Sequence, residues 1–108
     1  MTASISIEQT AFQIILHSGN ARSSLIEAMQ YAREGNFEEA EACFEQAKNE
    51  LKEAHHSQTG LIQEEARGQK AEVSILLVHA QDHLMNTITV RELTQEIIYL
   101  HKKIEKKN

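Results

Sequence analysis

The stretch Leu76-Leu77-Val78-His79-Ala80-Gln81-Asp82-His83-Leu84-Met85 sets two histidines and an aspartate into an apolar run. His79 and His83 are four residues apart and Asp82 is three from His79, separations that put all three side chains on one face of an α-helix. Packing alone would have placed Leu or Ala there.

Working outward, the run belongs to a helix expected from near Lys70 almost to the end of the chain. It carries two apolar stripes. The first is Val73, Leu77, Ala80, Leu84 and Ile88. The second is Ile75, His79, Asp82, Asn86, Val90, Leu93, Ile97, Leu100 and Ile104. Within a three-helix unit one broad face suffices to cover two partners, so a helix apolar on two sides is enclosed on both. At 1.5 Å per residue it reaches roughly 50 Å, long for a small domain. Self-association along the second stripe follows, with its polar members helping to set register or oligomer state.

Upstream, two further helices are readable. The first begins near Ser6, with Ser6 or Ser4 as cap, and repeats apolar or small residues at three and four: Ile7, Ala11, Ile14, Ile15, Ser18, Ala21, Leu25, Ala28, Met29 and Ala32. Gly19-Asn20 interrupts it, at a cost of about 1 kcal/mol for Gly relative to Ala, and implies close approach of another backbone or a slight bend. At Glu34-Gly35-Asn36 the glycine suits a left-handed C′ position. Asn36 can cap the next helix, with Glu39 in the capping-box place. The second helix runs through Phe37, Ala40, Phe44, Ala47, Leu51, Ala54, Gln58 and Leu61, and Glu64–Gln69 is the second break. Tyr31–Ala47 has the look of a tetratricopeptide junction, but that architecture needs stacked copies near a 34-residue period, and no second copy is visible.

Composition narrows the functional class. At 108 residues the chain is one domain, 1–108, and its proline-free, aromatic-poor content is helix-forming throughout. A net charge of −5 without a basic cluster argues against nucleic-acid binding. The Lys102-Lys103 and Lys106-Lys107 pairs read as cations complementing a helix C-terminus. No stretch approaches the ~20 apolar residues that span a bilayer, and no signal-peptide pattern opens the chain. Cys43 is the single cysteine, so no internal disulfide forms, which suits a reducing cytoplasm. Between Ala42 and Phe44 it reads as a small core or boundary residue, and His17 and His101 are assigned nothing.

By residue type alone, the His79, Asp82, His83 group has three readings. It is a solvated polar patch with satisfied hydrogen bonds, a metal site of superficially zincin-like spacing, or a nucleophilic histidine that accepts a phosphoryl group. Against a metallohydrolase, no third ligand follows and the chain is too small for a substrate cleft.

Val78-His79-Ala80-Gln81-Asp82-His83-Leu84-Met85 resembles the signature of the IIA proteins of the lactose/cellobiose (including chitobiose) branch of the bacterial sugar phosphotransferase system. Ser18–Ser23, the Gly35-Asn36-Phe37 junction, Glu53-Ala54-His55 with Gln58-Thr59, and Arg91-Glu92-Leu93 match in the same order. The likeness runs from about Ile14 to the last turn.

The resemblance implies an all-α, antiparallel three-helix subunit that assembles as a homotrimer of nine helices. It implies that His79 accepts a phosphoryl group from phospho-HPr and passes it to a cysteine of the cognate IIB protein. The sugar, a β-linked disaccharide, is phosphorylated later as the membrane IIC component moves it. It also implies that Asp82 meets its symmetry mates at the threefold axis. There a divalent cation, expected to be magnesium and one per trimer, offsets converging carboxylates that would otherwise repel. His83 is the candidate for steadying phosphoryl oxygens, and Gln81 and Gln58 are candidate hydrogen-bond donors. The alternative is a structural or regulatory helical oligomer whose polar seam binds metal without transfer chemistry.

Overall fold

The three-and-four spacing of small and apolar residues becomes three helices in the computed structural model, which describes residues 7–68 and 73–107. They are α1 (Ile7–Arg33), α2 (Phe37–Ala66) and α3 (Ile75–Lys106). The caps proposed at Ser4 and Ser6 lie outside the described residues. The expected stripe of α1 is its buried face, with Ala11, Ile14, Ser18, Ala21, Leu25, Ala28 and Ala32 all shielded from water. That of α2 is equally clear in Ala40, Phe44, Ala47, Leu51 and Ala54.

The junctions explain why the helices end where they do. After α1, Gly35 adopts φ +82°, the left-handed conformation that costs a glycine nothing. Asn36 N–H donates to Tyr31 O at 2.8 Å and Gly35 N–H to Ala32 O at 3.1 Å, the paired bonds of a Schellman ending. The expected side-chain cap at Asn36 does not form; backbone bonding already closes this turn, and the Asn36 carbonyl takes the Ala40 N–H at 3.0 Å. α2 continues into the expected second break as far as Ala66, and Gly68 then turns the chain at φ +89°. α3 starts later than its periodicity implies. Lys70 lies outside the described residues, but Val73 and Ser74 precede the helix, and the Ser74 hydroxyl accepts the Leu77 N–H at 3.1 Å. That cap fixes the start at Ile75 and leaves Val73, expected in the first stripe, exposed.

Cross-helix pairs fix the topology. His17 meets Glu50 and Gln58 meets Gln81, while Glu41 meets Lys102. Rising numbers therefore pair with falling ones between α2 and α3, and the tight turn at Gly35 reverses the chain between α1 and α2, giving an up–down–up bundle 62 Å long and about 20 Å across. Among the described residues, eight of the fourteen buried apolar ones are alanines, so the helices approach closely around a few large anchors, chiefly Ile14, Leu25 and Leu84.

On α3 the buried residues are Ala80, Leu84, Thr87, Thr94 and Ile98. The two threonines satisfy their hydroxyls on their own helix, Thr87 on His83 O at 2.8 Å and Thr94 on Val90 O at 2.7 Å. Most of the second stripe faces outward, but Val90, expected in it, is half-buried and packs against the core. Ile75, Leu93, Leu100 and Ile104 are all more than half exposed, and His79, Asp82 and Asn86 lie among them in the open.

Candidate functional site

The Ser74 cap starts α3 just ahead of the histidines, so His79 sits in its second turn, one residue before the first buried position, Ala80. His79 is exposed. Its neighbours in the chain and one turn back, Val78 and Ile75, are exposed apolar side chains, so the imidazole stands in an apolar surface open to solvent. His83, one turn on, is half-buried and turned toward α1. The two rings lie 6.2 Å apart, centroid to centroid, inclined at 36°. Behind His83 is Gly19, whose missing Cβ would lie 3.8 Å from His83 Nε2. The mid-helix glycine thus marks the approach of a side chain, where a second backbone or a bend was expected; α1 runs through it unbroken.

Asp82 is exposed on the outer face and accepts a hydrogen bond from Asn86 Nδ2 at 3.4 Å, one turn along the same helix. Among the described residues no three His, Cys, Asp or Glu side chains gather into a metal site. A single carboxylate of this chain can contribute hard oxygen ligands suited to Mg²⁺ or Ca²⁺, and further ligands must come from elsewhere.

Gln81 and Gln58 are brought together with each other and away from His79. Gln58 Nε2 donates to Gln81 Oε1 at 2.6 Å across the α2–α3 groove. Residues two apart on a helix do not share a face, so Gln81 points to the α2 side while His79 points away from it.

Two other side chains complete the inventory. Cys43 packs against the core, and burial, followed by the Glu27 carboxylate, pushes its thiol up from the ordinary range; it stays protonated and poorly nucleophilic at neutral pH. His17, unassigned from sequence, bonds through Nδ1 to Glu50 Oε2 at 2.7 Å, and Asn20 Nδ2 reaches the same oxygen at 3.4 Å. This pair ties α1 to α2 on the side of α1 away from Gly19. Nothing in the local spacing announces it, because its partners are 33 residues apart.

The site thus presents an exposed imidazole in an apolar surface with a second imidazole one turn away. Comparison with known proteins gives the class. The family described as "PTS system, Lactose/Cellobiose specific IIA subunit" matches residues 9–102, and the chain belongs to that family as a phosphotransferase component of the sugar phosphotransferase system. Among its relatives is the lichenan-specific phosphotransferase enzyme IIA component of Bacillus subtilis, 55% identical over 98 residues that cover 91% of this chain and 89% of that one. The crystal structure of the cellobiose-specific enzyme IIA from Bacillus anthracis superposes with a TM-score of 0.93 at 56% identity, covering 98% of this chain and 97% of the other. The IIA(Chitobiose)–HPr complex of the Escherichia coli N,N′-diacetylchitobiose branch matches with a TM-score of 0.81 at 41% identity, over 94% of this chain and 99% of that one. Among the described residues, no helix is long and apolar enough to cross a membrane.

Proposed function

We propose that this chain is the phosphocarrier of a relay serving a β-linked oligosaccharide, with His79 as the residue that carries the phosphoryl group. The observation behind this reading is the exposure of the His79 imidazole in an apolar patch, where a carrier protein can present phosphorus in line. HPr is the proposed donor, in keeping with the E. coli chitobiose relative solved in complex with it. The lichenan- and cellobiose-specific relatives point to the same class of sugar.

The chemistry needs little from the protein. A neutral imidazole of His79 attacks phosphorus with its unprotonated nitrogen while the other ring nitrogen keeps its proton. One N–P bond forms as the N–P bond to the donor imidazole breaks. In the second step the cysteine thiolate of the cognate IIB protein attacks, an S–P bond forms and His79 is released neutral. His83 stands close enough to steady the phosphoryl oxygens. Gln58 and Gln81 are engaged with each other on the α2 side of the helix, away from His79, and are not part of the proposed transfer step. The relay works in the cytoplasm and hands the sugar step to the membrane IIC component.

The outer face of α3 supports assembly as a homotrimer, nine helices in all, with Asp82 and the Leu93, Leu100 and Ile104 end of this stripe innermost and His79 left open at its margin. In that arrangement Asp82 and its two symmetry mates supply the carboxylates that hold one divalent cation, most naturally Mg²⁺; its exposure on the uncovered face fits this role. The cation's contribution is to offset like charges brought together.

Incubation with phospho-HPr is expected to add a single phosphate per chain, acid-labile and base-stable, as a phosphohistidine must be. His79→Ala should accept none while keeping its helical spectrum and its assembly. Undiminished incorporation in that variant overturns the assignment.

A further inference from the structure

Gly19 lies in the middle of α1, with more than ten helical residues on either side. Its backbone is ordinary: the positive-φ glycines among the described residues are Gly35 and Gly68. Neither a turn nor strain therefore requires glycine here, and in a helix interior glycine is the poorest choice after proline. What distinguishes the position is its neighbour. The space a side chain would occupy is bordered by His83 Nε2, 3.8 Å from the Cβ that Gly19 lacks. Gly60 offers the contrast. It too is inside a helix, and a Cβ added there would meet nothing within 4 Å.

We infer that Gly19 is a positioning residue for phosphoryl transfer at His79, because its bare α1 surface seats the His83 imidazole beside the reacting ring. The inference rests on the reading of His79 as phosphoryl carrier. A methyl group at position 19 meets Nε2 at ordinary van der Waals distance, so Ala closes the gap without displacing the ring. Valine adds two γ-carbons and has essentially one rotamer in a helix, so the ring must swing away from α1 and out of its place next to His79. The His83 backbone carbonyl is engaged by Thr87 on its own helix, a bond that holds the helix and leaves the ring to be placed by what packs against it.

The test compares wild type, Gly19→Val, Gly60→Val, His83→Ala and the double variant Gly19→Val/His83→Ala in single-turnover transfer from phospho-HPr. Gly19→Val is expected to slow the transfer step between roughly 10- and 100-fold, with KM for phospho-HPr within about twofold, because the docking surface is untouched. Gly60→Val, which makes the same change of helix propensity, should transfer at the wild-type rate. In the His83→Ala background the Gly19 substitution should cost nothing further. The imidazole C–H resonances of His83 should move in Gly19→Val and stay in place in Gly60→Val. Should valine unfold α1, Gly19→Leu repeats the test with a strong helix former.

Wild-type transfer by a folded Gly19→Val protein, or an equal slowing in the His83→Ala background, overturns the inference. Unmoved His83 resonances overturn it as well. A wild-type protein that takes up no phosphate instead defeats the carrier reading, and the His83 resonances still report whether Gly19 seats the ring.

Discussion

The two faces of α3 are built from different material for different neighbours. The inner face presents Ala80, Leu84, Thr87, Thr94 and Ile98: small or compact side chains, with the hydroxyls returned to their own backbone, so that α1 and α2 can come close. The outer face is apolar at both ends, in Ile75 and in Leu93, Leu100 and Ile104. In between it is polar, with His79, Asp82 and Asn86. A monomer has no use for exposed leucines and isoleucines in a row along a helix. The inner face holds the three helices together, and the outer face is the one that the proposed assembly and chemistry use. His79 stands on the outer face, one residue before the buried Ala80, which gives it a rigid base and an open approach.

Charging the outer face is the most direct way to separate the two roles. Leu93→Glu combined with Leu100→Glu adds two carboxylates to each copy of the seam and disturbs nothing buried. In a trimer six such charges would converge away from water, a cost far beyond what the seam returns. Complete dissociation to monomers is expected, read as mass by light scattering, with the helical spectrum retained. A trimer that survives shows that the seam lies elsewhere.

Leu84→Ala tests the inner face. Leu84 is fully buried in a core rich in alanine, a side chain too short to collapse far into the space left behind. A loss of about 2–5 kcal/mol is expected, measured as a lower urea midpoint at fixed chain concentration, since assembly and stability are linked. A loss below 1 kcal/mol would mean that Leu84 is not the anchor its burial implies.

Most of this contrast was legible in the sequence, because it is written in helical periodicity. The stripes of α1 and α2 and the two-sidedness of α3 all follow from spacings of three and four. So does the nearness of His79 and His83, though His83 turns toward α1 while Asp82 stays on the outer face. The failures lie where one local signal competes with another. Periodicity carried α3 back toward Lys70, but a serine hydroxyl at position 74 stops it. Asn36 has the chemistry of a cap, yet the Schellman turn had already closed the junction with backbone bonds. Gln81 is next but one to His79 in sequence and on the other side of the helix in space, where Gln58 occupies it. The His17–Glu50 pair joins residues 33 apart, and no local pattern encodes such a meeting. Gly19 fell between the two: its oddity was visible, but what approached it was not.

Asp82 sharpens the comparison at its finest point, because it is a charge on a face otherwise suited to burial. It accepts from Asn86 Nδ2 at 3.4 Å, a long bond for a carboxylate that is to be enclosed. If three copies of Asp82 converge at an axis, the seam is held apart by repulsion and held together by a cation, and the balance is small. Replacing the carboxylate by an apolar side chain of similar reach removes both. Asp82→Leu is therefore expected to leave the trimer intact or slightly tighter and to make it indifferent to EDTA, whereas the wild-type trimer should loosen when its cation is removed. Sedimentation with and without chelator measures both. Dissociation of Asp82→Leu into monomers would place Asp82 off the axis, with its charge paired to something the seam needs.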